Sequence, residues 1–181
     1  SDWAIYIQGD EVMHEGYYTN IRKAMNQYVN DDSVDGLLFN YRHFYGSYDY
    51  IGDAIQWYPK EIRIVKNRSD IYSFGDAQGF KKGSGEKLNV AEIDAYIHHY
   101  GWVKSPEAMQ RKQEIFHKLW HDDNWVDKNV IKAEEFDYSE VKALWKFEEE
   151  HPSVMKNRIA TKGWKFDHDI SRNTFSFKEK F

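Results

Sequence analysis

Three places in this chain carry side chains able to hold a metal ion or move a proton. The first is Asp10-Glu11, two adjacent carboxylates that follow Gly9 at the end of the run Trp3-Ala4-Ile5-Tyr6-Ile7-Gln8. The second is Asp76, in Phe74-Gly75-Asp76-Ala77-Gln78-Gly79-Phe80, and the third is His98-His99, ahead of Tyr100-Gly101-Trp102. A divalent cation such as Mg²⁺ or Mn²⁺ takes carboxylate and phosphate oxygens, and Mn²⁺ also accepts imidazole. One Asp, one His and a diphosphate make a reasonable ligand set for such an ion. An aspartate in a glycine-flanked loop can instead serve as general base toward a hydroxyl nucleophile. Arg63, Lys66 and Arg68 can pair with phosphate or simply form a solvated strand face. Each place also has a plain structural reading. Acids after glycine are ordinary turn residues, and paired histidines often belong to a loop or core.

The elements that must position these groups follow from hydrophobic pattern. Trp3 to Gln8 is short, β-branched and aromatic, with Ile5 and Ile7 alternating with Tyr6 and Gln8, which predicts a strand that stops at Gly9. His14 to Val29 predicts a helix, with Ile21, Met25, Tyr28 and Val29 at three-to-four spacing. Val34 to Tyr41 predicts a buried strand, and the polar-aromatic block His43 to Tyr50 a loop over a site. Pro59 keeps a helix from forming at Trp57-Tyr58. Glu61 to Val65 and Ile71 to Phe74 predict strands, with Phe80 to Lys87 a flexible basic hairpin or loop. Leu88 to Ile97 is a further extended stretch. From Ser105-Pro106 the pattern turns helical, with Pro106 at the first helical position, and a second helix is predicted over Ser139 to Glu149. Asp10, Asp76 and His99 each follow a predicted strand. In an α/β sheet, ligands bind beyond the carboxyl ends of strands, so the three can converge there.

Composition narrows the classes. At 181 residues the chain can bury one sizeable core. A net charge of −5 argues against a general nucleic-acid binder. The sequence has no cysteine, which excludes disulfides and thiolate metal sites. No apolar run approaches the roughly 20 residues of a membrane span, and no signal peptide is evident. The location expected from these absences is cytoplasmic. Contact with a membrane surface is compatible with the sequence but not indicated by it. Phosphate-cradling Gly-rich and Gly-x-Ser-x-Gly motifs are missing, so nucleotide hydrolysis and serine esterase chemistry have no support. Aromatic content is high, with 7 Trp, 13 Tyr and 11 Phe, many beside Gly, His and Asp. Such rings can cover sugar faces or serve as core.

Several blocks, in order, resemble a known family. Trp3-Ala4-Ile5-Tyr6-Ile7-Gln8-Gly9-Asp10-Glu11 resembles the acidic metal motif of family 2 glycosyltransferases of the GT-A fold. Gly36 to Tyr50, Trp57 to Arg63, Gly75 to Phe80 and His98 to Trp102 resemble one bacterial branch of that family. The resemblance covers roughly residues 2–110. It implies an α/β, GT-A-like (Rossmann-related) mixed sheet, with residues 1–104 as the catalytic, acceptor-side part and 105–181 as a helical C-terminal extension. It also implies that a nucleotide-binding half of roughly 80–90 residues precedes this stretch. That expectation suits a chain opening directly on a strand with no neighbour before it.

By the same resemblance, Asp10 matches the second aspartate of the metal motif, whose first position is Gln8 here. His99 matches a later histidine ligand, and Asp76 the acceptor-activating carboxylate, with Glu61 and Asp49 as substitutes. Glu11 and Arg63 would contact substrate, and Tyr45, Tyr48, Trp57 and Trp102 would line the acceptor cleft. The implied reaction is inverting, Mn²⁺- or Mg²⁺-dependent transfer of a sugar from a nucleotide-diphosphate donor to an acceptor hydroxyl, in glycan or polysaccharide synthesis. Two rivals stand beside it. A non-catalytic carbohydrate-binding module suits the aromatic loops and has no need of Asp10. A metal-dependent hydrolase built on Asp10, Asp76 and His99 would release free sugar with no acceptor present.

Overall fold

The computed structural model describes residues 1–52, 57–75, 79–120, 125 and 133–174. Strands predominate, with a few helices, in a mixed α/β arrangement. In chain order the strands are β1 (Trp3–Ile5), β2 (Glu11–Met13), β3 (Gly36–Tyr45), β4 (Tyr50–Gly52), β5 (Lys60–Lys66), β6 (Ile71–Phe74), β7 (Gly79–Lys82), β8 (Val90–Trp102) and β9 (Leu144–Lys146). The longer helices are α1 (Tyr18–Tyr28) and α2 (Pro106–Trp120). The chain divides into two compact units. The first holds residues 1–42, 54–99 and 150–156, and the second 43–53, 100–149 and 157–181.

In the first unit β5 pairs antiparallel with β1 on one side and β3 on the other, β3 pairs with β8, and β8 with β2. Period-two alternation sends Leu37, Phe39 and Tyr41 of β3 and Ile93, Ala95 and Ile97 of β8 to one face. There they join Ile64 and Trp3 and are covered by Ile21 and Ala24 of α1. The Trp3 indole N–H donates to the Met25 carbonyl at 3.2 Å, fastening the first strand to the helix. Asp35, just before β3, is buried and anchors the hairpin of β6 and β7. Its carboxylate accepts from Lys82, from Arg68 and from the Asn89 N–H. These donors outweigh the effect of burial and hold its pKa below the usual range.

The second unit is built on aromatic packing. Phe44 stacks on Tyr100 at 4.7 Å and meets Phe147 edge-on at 4.9 Å. Phe44 pairs with Ile51 of β4, and β4 pairs antiparallel with β9. Met109 and Gln110 of α2 are buried, and the Lys112 ammonium donates to the Gly101 carbonyl at 2.9 Å. Among the described residues, no helix is long and apolar enough to cross a membrane.

Four elements differ from the sequence expectation. The strand expected to run to Gly9 ends at Ile5, and a second short strand, β2, begins on a different partner after a turn at Gly9 and Asp10. The block His43 to Tyr50 is mostly buried, with His43 to Tyr45 completing β3. The extended stretch at Leu88 to Ile97 runs on through both histidines to Trp102. Ser139 to Glu149 is not a helix. It is a single 3₁₀ turn at Tyr138–Glu140 followed by β9. Pairing of Leu144–Lys146 with Tyr50–Gly52 outweighs the local helical spacing.

Candidate functional site

Along the core face of the first unit, apolar side chains give way to polar ones at one end. The run Ile93, Ala95, Ile97 on β8 continues to His99. Met13 on β2 is followed, two positions back, by Glu11. The register pairs Met13 with Ile97 and Glu11 with His99, so both polar residues keep the core-facing orientation. Tyr41 closes the same run on β3. A sheet face built this way buries polar groups, and each needs a partner.

Glu11 finds two. Arg63 donates from Nε to its Oε2 at 2.9 Å and from Nη2 to its Oε1 at 2.7 Å, and the Tyr41 hydroxyl donates to Oε1 at 2.8 Å. The pair is sealed from water, with side-chain exposure of 2% for Arg63 and 0% for Glu11. A backbone irregularity places Arg63 there. On β5 the register passes from Leu37↔Ile64 to Leu38↔Ile62, leaving Arg63 as an extra residue. Such a bulge re-aims one side chain and sharpens the local twist. The guanidinium also lies over the rings of Tyr6 and Tyr41, at 5.5 and 5.3 Å from their centroids. Burial opposes the charge on Arg63, but the Glu11 hydrogen bonds and the neighbouring carboxylates raise its pKa. For Tyr41, burial and the ionised Glu11 raise the phenol pKa far beyond the physiological range.

Asp10 precedes Glu11 in the chain and is partly exposed. Its Oδ2 stands 3.6 Å from His99 Nε2, with side-chain exposures of 37% and 11%. Two donors on one cation, each at about 2.1 Å, are separated by roughly 3.0–3.4 Å, so a small side-chain adjustment lets both bind the same ion. Glu11 is committed to Arg63. Among the described residues no group of three His, Asp or Glu side chains forms a metal cage. The donor set, one carboxylate and one imidazole, suits an ion that takes its remaining ligands from water and substrate phosphates.

Two more groups belong to this end. Tyr58 packs on Tyr41 with centroids 5.2 Å apart. Burial, with Glu11, Glu61 and Asp10 adding to it, pushes its phenol up to about 12. Glu61, opposite Phe39 on β5, is half-buried, and its Oε1 accepts the Ile62 N–H at 2.8 Å. Burial raises its carboxyl pKa, with Arg63 acting against the rise and Glu11 with it.

The structure thus brings Asp10, Glu11, Arg63 and His99 together in one unit, with Glu61 nearby. Asp76 lies outside the described residues, as does the Phe175 to Phe181 run of the tail. Tyr45, Tyr48 and Trp102 belong to the second unit. There Tyr45 stacks on Trp102 at 5.9 Å and meets Tyr138 edge-on at 5.2 Å, and Tyr48 packs on Tyr100. Burial pushes the Tyr45 phenol up to about 12. Asp49, also in that unit, accepts from the Ser47 hydroxyl and stands 3.7 Å from Lys162. Trp57 is half-buried in the first unit.

His98 points to the opposite face of β8 from His99. It packs against His14, at 5.5 Å between centroids, and His151, at 6.3 Å. Burial, then the positive charge of Arg42 and the neighbouring imidazoles, depress its pKa to about 3. The sequence reading paired the two histidines; alternation separates them. Tyr41 and Tyr58 were missed as members of the site. The one signal for Tyr41 was its place at the end of the Leu37–Phe39–Tyr41 alternation.

No protein-family model matches the chain, and no curated protein matches it.

Proposed function

We propose that this chain is the acceptor-side part of a GT-A-type glycosyltransferase that moves a sugar from a nucleotide-diphosphate donor to an acceptor hydroxyl on a glycan or small molecule. The observation that carries the reading is the Asp10–His99 pair, 3.6 Å apart, with Asp10 partly exposed and His99 largely buried, beside a neutralised, buried Glu11–Arg63 pair. Asp10 and His99 would hold Mn²⁺ or Mg²⁺, and the ion when bound supplies positive charge against the leaving diphosphate. Glu11, clamped by Arg63 and Tyr41, fixes the start of β2 and so the position of Asp10. His99 is fixed by its place in β8, in register with Glu11. Positioning of this kind is most of what a protein contributes to such transfers.

The test is calorimetric titration of UDP and GDP, with and without Mn²⁺, into the full-length protein and its Asp10→Ala variant. Binding should require Mn²⁺ and disappear in the variant. Binding that ignores the metal, or none with either nucleotide, would remove Asp10 as a ligand and the glycosyltransferase reading with it.

A further inference from the structure

We propose that β1 is the pairing edge of a two-fold dimer, in which it adds antiparallel to the β1 of a second copy of this chain. The pairing is independent of the function proposed above.

β1 lies at one end of the sheet, and among the described residues β5 is its one strand partner. The register fixes which backbone groups that leaves over. The Tyr6 N–H donates to the Arg63 carbonyl at 2.9 Å, and the Asn67 N–H donates to the Asp2 carbonyl at 2.9 Å. Antiparallel strands alternate hydrogen-bonded with non-bonded pairs, so Asp2, Ala4 and Tyr6 direct their backbone groups to β5. Trp3 and Ile5, opposite Lys66 and Ile64, turn theirs outward. The outward Trp3 carbonyl accepts the Ser1 hydroxyl at 2.8 Å, a contact that a backbone N–H can replace.

Edge strands that stay single carry lysine, proline or a bulge, or are covered by another segment. The second unit shows such a cover. There the outer side of β9 is closed at Leu144 by Asn173, whose side-chain amide accepts from the Leu144 N–H at 3.2 Å and donates to its carbonyl at 2.8 Å, as a strand residue would. β1 has none of these protections. From Trp3 to Gln8 there is no lysine, no proline and no charged side chain, and Ile5 and Ile7 are 57% and 39% exposed.

The same residues name the occupant. A two-fold axis at Ile5 sets Ile5 against its own symmetry mate, Trp3 against Ile7, Ala4 against Tyr6 and Asp2 against Gln8. Ile5 then exchanges both of its outward backbone hydrogen bonds with its mate. Trp3, Ile5 and Ile7 share one face by alternation, so apolar side chains meet apolar ones there. On the other face the small Ala4 leaves room for Tyr6. Asp2, the one charged side chain of residues 1–8, meets a neutral glutamine, so no like charges are opposed. The strand is complementary to itself, as a two-fold interface requires.

Sedimentation equilibrium of the chain across a dilution series tests this. The mass should rise from 21.7 kDa toward twice that value as concentration increases. Ile5→Pro removes the outward N–H and leaves every β1–β5 hydrogen bond in place, a position where an edge strand tolerates proline. The dimer loses two main-chain bonds, so association should weaken about 10-fold or more. Ile7→Lys, at an exposed position beyond β1, places a charge against Trp3 of the other copy and should also weaken association. It keeps the test decisive where Ile5→Pro disturbs the fold. Amide exchange gives a second reading in the wild type. The Ile5 N–H should exchange fast in dilute solution and slowly in concentrated solution, while the Tyr6 N–H, held by Arg63, is protected in both. A chain that stays monomeric at every concentration overturns the proposal. So does a dimer that both substitutions leave intact, or an Ile5 amide whose exchange does not follow concentration.

Discussion

The stability of the first unit should depend on acid through His98 alone to a measurable extent. His98 is fully buried, between His14 and His151 and near Arg42, and its folded pKa is depressed to about 3 from an ordinary 6.5. The imidazole is therefore neutral in the folded chain and protonates readily only when unfolded. Its contribution is fully present above the unfolded pKa, is lost as pH falls through 6.5 toward 3, and is gone below that. Each pH unit in the window is worth up to about 1.4 kcal/mol, so wild type should lose about 2 kcal/mol from this group between pH 7 and pH 5. Urea denaturation of wild type and His98→Gln at pH 7, 6 and 5 isolates the effect, because the other titrating groups are common to both. The variant will be less stable at pH 7 if packing suffers, but its decline toward pH 5 should be shallower by about 2 kcal/mol. Equal slopes in the two proteins would refute the reasoning. So would an imidazole NMR titration placing His98 near 6.5.

Three further outcomes follow from single contacts. Arg63→Met leaves Glu11 buried without its cation and should cost about 3–5 kcal/mol, whereas the double variant Glu11→Leu/Arg63→Met should recover most of that. Denaturant midpoints measure both, and a double variant as unstable as the single one contradicts the account. Tyr41→Phe deletes a hydrogen bond to a charged acceptor and should cost about 1.5–3 kcal/mol in the same assay. Gly46→Ala should cost about 2–4 kcal/mol, because Gly46 has φ +68° and a Cβ there would sit 2.6 Å from the Phe166 ring. A change in melting temperature within error at Gly46 would show that the ring yields freely.

The sequence carried the parts of the fold that depend on neighbours in the chain. The contiguous Leu37, Leu38 and Phe39, the charged–apolar pattern of Glu61 to Val65, and the three-to-four spacing of Ile21 and Met25 are local signals, and the strands and helix form where they fall. The readings that failed depended on distant partners. Val141, Leu144 and Trp145 have helical spacing, yet the chain there is strand because Tyr50–Gly52 offers it an edge. The histidines were read as lying past a strand end, although the alternation of Ile93, Ala95 and Ile97 already extended to His99 on the same face. The Glu11–Arg63 pair spans 52 positions and left no mark in the sequence beyond two charges.

That pair also explains why the site sits where it does. A regular ladder between β3 and β5 would give every residue of β5 a partner and an assigned face, and Arg63 would fall by alternation on the side away from Ile64. As the extra residue of β5, opposite the Leu37–Leu38 step of β3, Arg63 is released from that alternation and its guanidinium reaches a carboxylate on β2, a strand that β5 does not touch through hydrogen bonds. One charge is then neutralised within the sheet. Asp10, one position earlier, is left facing His99 at the surface rather than competing for the arginine. Restoring regular pairing, by deleting one residue of the bulge, should therefore strand Glu11 and displace Asp10 together. Loss of stability and loss of Mn²⁺-dependent nucleotide binding should appear in the same variant. Keeping either one would separate the fold of this sheet from the function proposed for it.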